Sequence, residues 1–142
     1  MPKVIALIII LGLGVLFFFN KKNSLQTVNI KIEDRIFALE VANNPLSRSR
    51  GLSKKQSLCP TCGMIFVYQK EGVYPFWMKN THFPLDIIWL DKKGKIVDIK
   101  QGQPENPSLL ENSTPARYII ELNQNIINLS VGDIINLPDE IN

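Results

Sequence analysis

Two cysteines separated by two residues are the most chemically distinctive feature of this sequence. Cys59 and Cys62 are the only cysteines of the chain. Their spacing fits a local disulfide, a thiol–disulfide redox pair, half of a zinc site shared with a second chain, or idle thiols. A thioredoxin-like redox pair lies at a helix N-terminus, whose dipole lowers the pKa of the thiol. Because residues 64–68 follow here with the pattern of a strand, a local disulfide is favoured and the redox pair is the alternative.

A second candidate site is the run of aromatic and polar residues at 76–81. Alternate side chains of a strand point to opposite faces, so Phe76 and Met78 in a core would leave Trp77 exposed. An exposed tryptophan can stack on a sugar or base ring while neighbouring polar groups fix the orientation of the ligand. The competing interpretation is that Trp77 packs beneath a loop and the polar residues form an ordinary turn. The predicted ligand-binding residues of this run are Trp77, Lys79, Asn80 and Thr81.

One carboxylate, Asp86, interrupts an otherwise apolar stretch. A buried carboxylate can have a raised pKa and act as an acid or a base. Together with His82 and Lys79 it would form the site of a hydrolase-type enzyme. More often such a residue accepts hydrogen bonds from a nearby turn, and Asn80 and Thr81 are the obvious donors. No recognised catalytic motif includes these residues, so Asp86 is kept as a structural or ligand-binding residue and no catalytic residue is assigned.

Basic residues are frequent in the region that precedes the cysteines. They would form one face of a short helix and could contact a carboxylate, a phosphate or an anionic lipid surface. A solvated basic face is the more common outcome. Arg50 is the one that we predict as a possible anion contact. The basic residues of this region are Arg48, Arg50, Lys54 and Lys55.

The charge balance argues against a nucleic-acid partner. Lys3, Lys21 and Lys22 flank an apolar N-terminal run, and removing these three from the 16 basic residues leaves 13 against 13 acidic ones. Binding to a phosphate backbone needs clustered surplus positive charge. The sequence also has no phosphate-cradling glycine loop and no complete set of metal ligands, so we expect neither a cofactor nor a metal.

The apolar run at residues 4–19 predicts contact with a membrane. Sixteen helical residues rise roughly 24 Å, short of the roughly 30 Å hydrocarbon core, but flanking lysines can reach toward the headgroups. The run ends in phenylalanines and lacks the small residues of a cleavage site. We therefore predict an uncleaved signal anchor at residues 1–22, a linker at 23–26, and a single domain at 27–142 on the extracytoplasmic side.

The remainder of the chain predicts a β-rich domain. Many short strands and few helical residues favour an α+β, mainly β fold, with a small barrel-like or rolled antiparallel sheet and one or two short helices. Asn44 and Pro45 predict the start of a helix. The predicted strands cover residues 27–32, 35–41, 64–68, 74–79, 85–90, 96–99, 117–122 and 134–137, and the predicted helical segments cover 46–56 and 124–129.

Several sequence blocks resemble a known family. They lie at residues 50–52, 63–67, 76–81, 84–88, 118–122 and 131–133. Together they resemble the bacterial and archaeal domain-of-unknown-function family 192, over about residues 36–137. The resemblance implies a compact β-rich domain, often carried behind an export signal, and implies no activity. The chain departs from the family pattern at Ser53, where methionine is common, and at Cys59 and Cys62, which lie outside the family motif.

These observations lead to three functional hypotheses. The first is a membrane-anchored extracytoplasmic module that binds a small molecule, a glycan or a protein without catalysis, with its site around Trp77. The second is an exported thiol–disulfide redox protein that uses Cys59 and Cys62. The third is a hydrolase-type enzyme, which requires Asp86, His82 and Lys79 to converge in one pocket.

Overall fold

One open mixed sheet of six strands forms the body of the domain. The computed structural model describes residues 24–141, so the predicted anchor at residues 1–22 lies outside the described residues. No helix within residues 24–141 is long and apolar enough to cross a membrane. The elements in chain order are β1 (Thr27–Ile32), β2 (Arg35–Ala42), α1 (Pro45–Arg50), β3 (Cys62–Gly72), β4 (Leu85–Leu90), β5 (Ile96–Gly102), β6 (Ala116–Asn123) and a 3-10 helix (Asp139–Ile141).

The strand order differs from the predicted barrel-like or rolled antiparallel sheet. The sheet is open, with the order β1-β2-β3-β6-β4-β5. β2 and β3 pair in parallel, and the other neighbouring strands pair antiparallel. The chain leaves the end of β2, passes through α1 and crosses back, so that β3 begins beside Ala38 and runs in the same direction as β2. A connection that long permits a parallel crossover, whereas a hairpin turn does not. The prediction of a mainly β domain is confirmed, and the sheet is open and mixed where a barrel-like or rolled antiparallel sheet was predicted.

Hydrophobic side chains cover both faces of the sheet. Strand alternation sends residues such as Ile65, Ile88 and Ile120 into a first cluster, which β1 and the C-terminal segment complete. The opposite face carries a second cluster that includes Phe66, Trp89 and Ile119 of the sheet. The same cluster receives Leu52, Phe76 and Met78 from loops. All six residues of β4 are buried. This burial is expected of a central strand with an apolar stretch on both faces.

Several predicted elements differ in extent from those of the structure. Residues 74–79 form no strand and make only a single bridge, between Phe76 and Leu110. Residues 134–137 likewise contribute one bridge, between Ile134 and Lys95. In place of the predicted helix at 124–129, residues 124–126 form a turn and residues 127–129 have no regular secondary structure. In the two predicted strands local apolar alternation is present, but the neighbours that would complete a ladder are loop residues.

Helix α1 has the predicted start and an earlier end. The Asn44 side chain accepts a hydrogen bond from the backbone N–H of Ser47 at 3.0 Å, and Pro45 occupies the first turn. This arrangement satisfies an otherwise free N–H group at the helix start. Gly51 then takes a φ of 50°, which a helix cannot continue, so α1 ends at Arg50 and residues 51–56 turn away from its axis.

Candidate functional site

A cleft of about 370 Å³ opens on the face of the sheet that carries the second cluster. Its first wall is the end of α1 and the following turn, residues 48–53. Its second wall is the irregular segment at residues 75–81. The floor is made by side chains of two neighbouring strands, β3 and β6. The floor residues are Phe66, Tyr68 and Glu121.

Hydrogen bonds hold the two walls together and fix the second wall. The backbone N–H of Lys54, after the first wall, donates to the Asn80 carbonyl at 3.1 Å. Phe76 and Leu110 exchange two backbone hydrogen bonds, of 2.9 and 2.8 Å. Asn112 is buried, and its side chain accepts from the N–H of Tyr74 at 2.8 Å. The second wall is therefore irregular in backbone conformation yet closely tied to its neighbours.

The second wall exposes Trp77, as the alternation predicted. Phe76 and Met78 are buried in the second cluster, whereas Trp77 is 54% exposed and lines the cleft. The Lys79 ammonium lies 5.8 Å from the centre of the Trp77 ring. Thr81 was expected on the same exposed face but is only 5% exposed. The reason is a turn, in which the Thr81 N–H donates to the Met78 carbonyl at 3.0 Å and strand alternation ends.

Three cations line the cleft, and no acidic side chain within residues 24–141 forms a salt bridge with any of them. Arg48 donates to the Val67 carbonyl at 3.1 Å and stacks over the Tyr68 ring, 4.7 Å from its centre. Arg50 and Lys79 occupy opposite walls. An anion in the cleft would meet positive charge from both sides.

Glu121 is the site residue that the sequence analysis missed. It lies in β6, opposite Met64 of β3 and Ile87 of β4, and it is only 4% exposed. Among the described residues, no hydrogen-bond donor or acceptor contacts its Oε2 atom. Burial raises the pKa of the Glu121 carboxyl from its ordinary value of 4.5 to about 8. The sequence signal that could have identified Glu121 is its position as the single acidic residue within the apolar stretch at 118–122, the same pattern that drew attention to Asp86.

Tyr68 adjoins both Glu121 and Arg48. Burial raises the pKa of the Tyr68 hydroxyl, the Arg48 charge lowers it, and the charges of Tyr74 and Glu121 raise it further. The rings of Tyr68 and Tyr74 are stacked, with centres 3.5 Å apart. The phenol therefore stays protonated at neutral pH and adds a polar group to the floor of the cleft.

Asp86 and His82 do not line the cleft. Strand alternation places Asp86 on the opposite face, with Ile88, and its Oδ2 atom accepts from the Asn125 N–H at 2.8 Å. The turn that Asp86 supports is thus not the predicted one at residues 80–81. His82 Nδ1 lies 2.5 Å from Glu105 Oε1, at the surface. The hydrolase-type interpretation needed both residues beside Lys79, and only Lys79 is in the cleft.

Cys59 and Cys62 form a disulfide with a Cα–Cα distance of 5.0 Å. The Cys62 N–H donates to the Cys59 carbonyl at 3.0 Å, which closes a tight turn at the start of β3. Asn123 of β6 donates to the carbonyls of Leu58 and Cys59, at 3.1 Å each. This arrangement is the local disulfide that the sequence analysis favoured over a redox pair. Residues 24–141 contain no group of three or more His, Cys, Asp or Glu residues that could hold a metal ion.

Two solved structures have a fold similar to this one. A protein from Sinorhizobium meliloti 1021, named provisionally as a transcription regulator, is 26% identical, with a TM-score of 0.74 over 81% of this chain and 96% of that chain. A protein of unknown function from Novosphingobium aromaticivorans is 24% identical, with a TM-score of 0.73 over 83% of this chain and 90% of that chain. A search of the curated proteins found no match.

The family comparison agrees with the resemblance seen in the sequence blocks. The model of DUF192, described as "Uncharacterized ACR", matches residues 26–137. That range includes all six strands, both walls of the cleft and its floor. The chain belongs to the DUF192 family.

Proposed function

We propose that the domain is a binding module without catalysis, and that its ligand is a small anionic molecule held in the cleft. The observation that carries the proposal is the position of Trp77, which is half-exposed on a wall that also presents Lys79 and faces Arg50. An aromatic side chain beside a small number of convergent polar and charged groups in a cleft is the usual composition of a small-molecule site.

The residues of the cleft have complementary roles in this proposal. The Trp77 ring offers a flat surface for a ring of the ligand. Arg50 and Lys79 neutralise its anionic group from the two walls, and Asn80 and Thr81 orient it. The volume, about 370 Å³, lies at the lower end of the range for small-molecule sites. A single ring with one or two substituents fits that space.

Ligand binding can be followed through the two tryptophans, because only one of them lines the cleft. In ¹⁵N-labelled domain, we expect small carboxylates and phosphates to shift the indole N–H signal of Trp77. The indole of Trp89 is buried and donates to the Tyr74 carbonyl at 3.1 Å, so its signal should stay fixed. Arg50→Gln should weaken binding at least tenfold by this signal, which corresponds to about 1.4 kcal/mol. Trp77→Ala removes the reporting indole, so its loss of binding, also at least tenfold, is measured by titration calorimetry.

Stability measurements provide the control for these variants. Trp77 is an exposed side chain, so Trp77→Ala should change the free energy of unfolding by no more than about 1 kcal/mol. Asp86→Asn alters the opposite face and should bind as wild type does. Collapse of stability in Trp77→Ala would make the ring a structural element, and ligand binding that persists in both cleft variants would place the site elsewhere.

The same proposal places the domain outside the membrane, held by residues 4–19. This part rests on the apolar run and its flanking lysines. Cysteine labelling tests it in intact cells that express the full chain. A membrane-impermeant thiol reagent should label Cys59 and Cys62 only after mild reduction, because an external disulfide must first be opened.

Other labelling patterns would contradict a different part of the proposal. Labelling that requires cell lysis even after reduction would place the domain on the inner side. Labelling of intact cells without reduction would show free external thiols and favour the redox alternative. A double Cys59→Ser, Cys62→Ser variant gives the background signal for both experiments.

A further inference from the structure

We propose that the ligand of the cleft is an anionic carbohydrate, a sugar ring that bears a carboxylate or a phosphate, and that Glu121 is the residue that binds its hydroxyl groups. This inference rests on the proposed function of the cleft and adds the ligand class and the residue that determines specificity. Its support comes from the floor of the cleft, whereas that of the proposed function comes from the walls.

The first step is the incomplete hydrogen bonding of Glu121. Its side chain lines the cleft, and its Oε2 atom has no partner among residues 24–141. Buried polar groups are almost always paired, so the Glu121 carboxyl at the cleft has hydrogen-bonding capacity that a ligand group can use. Rotation about the last side-chain bond of glutamate is broad and nearly two-fold. Either carboxyl oxygen can therefore face the cleft.

The second step is the kind of group that suits this carboxyl. A protonated carboxyl has one donor and further acceptor capacity, and a hydroxyl is likewise both donor and acceptor. A ligand hydroxyl can thus pair with Glu121 whichever oxygen holds the proton. An anionic group of the ligand at this place would be repelled by the Glu121 carboxylate once that side chain ionises. Neutral polar substituents on the ligand are the better match for the floor.

The third step is the rest of the ligand. Trp77 on the wall offers the flat apolar surface on which sugar rings stack. Arg50 and Lys79, which have no acidic partner within the described range, bracket the opening. A ligand must then combine a ring, hydroxyl groups at its inner end and an anionic group at its outer end. Sugar acids and sugar phosphates have all three.

Protonation of Glu121 links this arrangement to pH. The charged and titratable groups that line the cleft with it are Arg48, Arg50, Tyr68 and Lys79. At neutral pH the Glu121 carboxyl is mainly uncharged, because its pKa is raised to about 8. Above that pH it becomes a carboxylate and repels an anionic ligand. Affinity for such a ligand should therefore fall as the pH passes about 8.

Titration calorimetry with galacturonate, glucose 6-phosphate and glucose tests the inference. We expect at least one of the two anionic sugars to bind about tenfold more tightly than glucose, since the cations contribute about 1.4 kcal/mol or more. The preferred anion distinguishes a carboxylate-bearing from a phosphate-bearing ligand. Galacturonate serves for the pH series, because its carboxylate is ionised throughout. Its affinity for wild type should fall about tenfold between pH 6.5 and 9.

The Glu121→Gln variant separates this inference from the proposed function. It retains the shape and both hydrogen-bonding capacities of the side chain but does not ionise, so its galacturonate affinity should be the same at both pH values. A fall equal to that of wild type would overturn the role of Glu121 while leaving the wall residues in place. Equal binding of all three sugars, or binding of none, would overturn the ligand class. The indole titration of wild type and Arg50→Gln then decides separately whether the cleft binds any anion, and Asp86→Asn controls for loss of a buried carboxylate elsewhere.

Discussion

Glu121→Gln should have a clearly larger free energy of unfolding than wild type at pH 9. At pH 4 most of that difference between the two proteins should be gone. Burial raises the pKa of Glu121 from 4.5 to about 8, so the folded protein binds this proton more tightly than the unfolded chain does. The stabilisation that this proton gives to the folded state is fully present below pH 4.5 and is lost progressively as the pH rises toward 8. Between those values the free energy of unfolding should fall by roughly 1.4 kcal/mol per pH unit.

Urea denaturation at pH 4, 6, 8 and 9 measures this difference directly. The variant removes the ionisable group and keeps the side-chain volume, so its stability should lack the decline that Glu121 causes. Tyr68 and Arg48 stay in place in both proteins. Asp86→Asn is the matched control, because it removes a buried carboxylate from the other face and leaves Glu121 intact; it should decline as wild type does. Parallel curves for wild type and Glu121→Gln would show that the carboxyl is already solvated or paired when folded.

The sequence predicts the exposed wall of the cleft better than its floor. The residue types at 76–81 identify Trp77 and Lys79 because the relevant signal is local, an apolar residue alternating with polar ones. Arg50, which the sequence predicted as an anion contact, lines the same cleft because of the position of α1. The burial of Thr81 could not be predicted in the same way, since it depends on a turn that ends the alternation.

Glu121 was missed because its environment is assembled from distant parts of the chain. Its cross-strand neighbours are Met64 and Ile87, and the wall above it comes from residues 48–53. None of these contacts can be read from the stretch at 118–122 alone. Asp86 has the same local pattern of one carboxylate among apolar residues, yet it accepts a hydrogen bond from a turn at Asn125, so the pattern alone does not identify a cleft residue.

The topology was unpredictable for a related reason. Each strand can be recognised from its own residues, but the parallel pairing of β2 with β3 depends on how residues 43–61 cross from one to the other. The register places Leu39 beside Gly63 and Gly63 beside Leu122. The absence of a side chain at Gly63 allows these strands to carry large residues on either side of it.

Gly63→Ala should be among the most destabilising single substitutions in the domain. A methyl group added there would lie 2.5 Å from the Glu121 carbonyl oxygen and within 2.7 Å of side-chain atoms of Leu122 and Leu39. The carbonyl belongs to the central strand β6, which is held on both sides by other strands, so it cannot move away without disturbing the ladder. Overpacking of this kind costs about 3 kcal/mol, and displacement of β6 should also alter the cleft floor at Glu121.

Gly72→Ala, at the other end of β3, is the matched control. The nearest atoms to a methyl group there belong to the half-buried Tyr74 side chain, at 3.1 Å or more, so this side chain need move by only a few tenths of an ångström. Replacing glycine by alanine also restricts the unfolded chain, which stabilises by about 0.4–1 kcal/mol. The free energy of unfolding of Gly72→Ala therefore includes this stabilisation together with any small strain. Urea denaturation should place the two variants about 3 kcal/mol apart, and equal stability would mean that β3 and β6 can separate at Gly63 without cost.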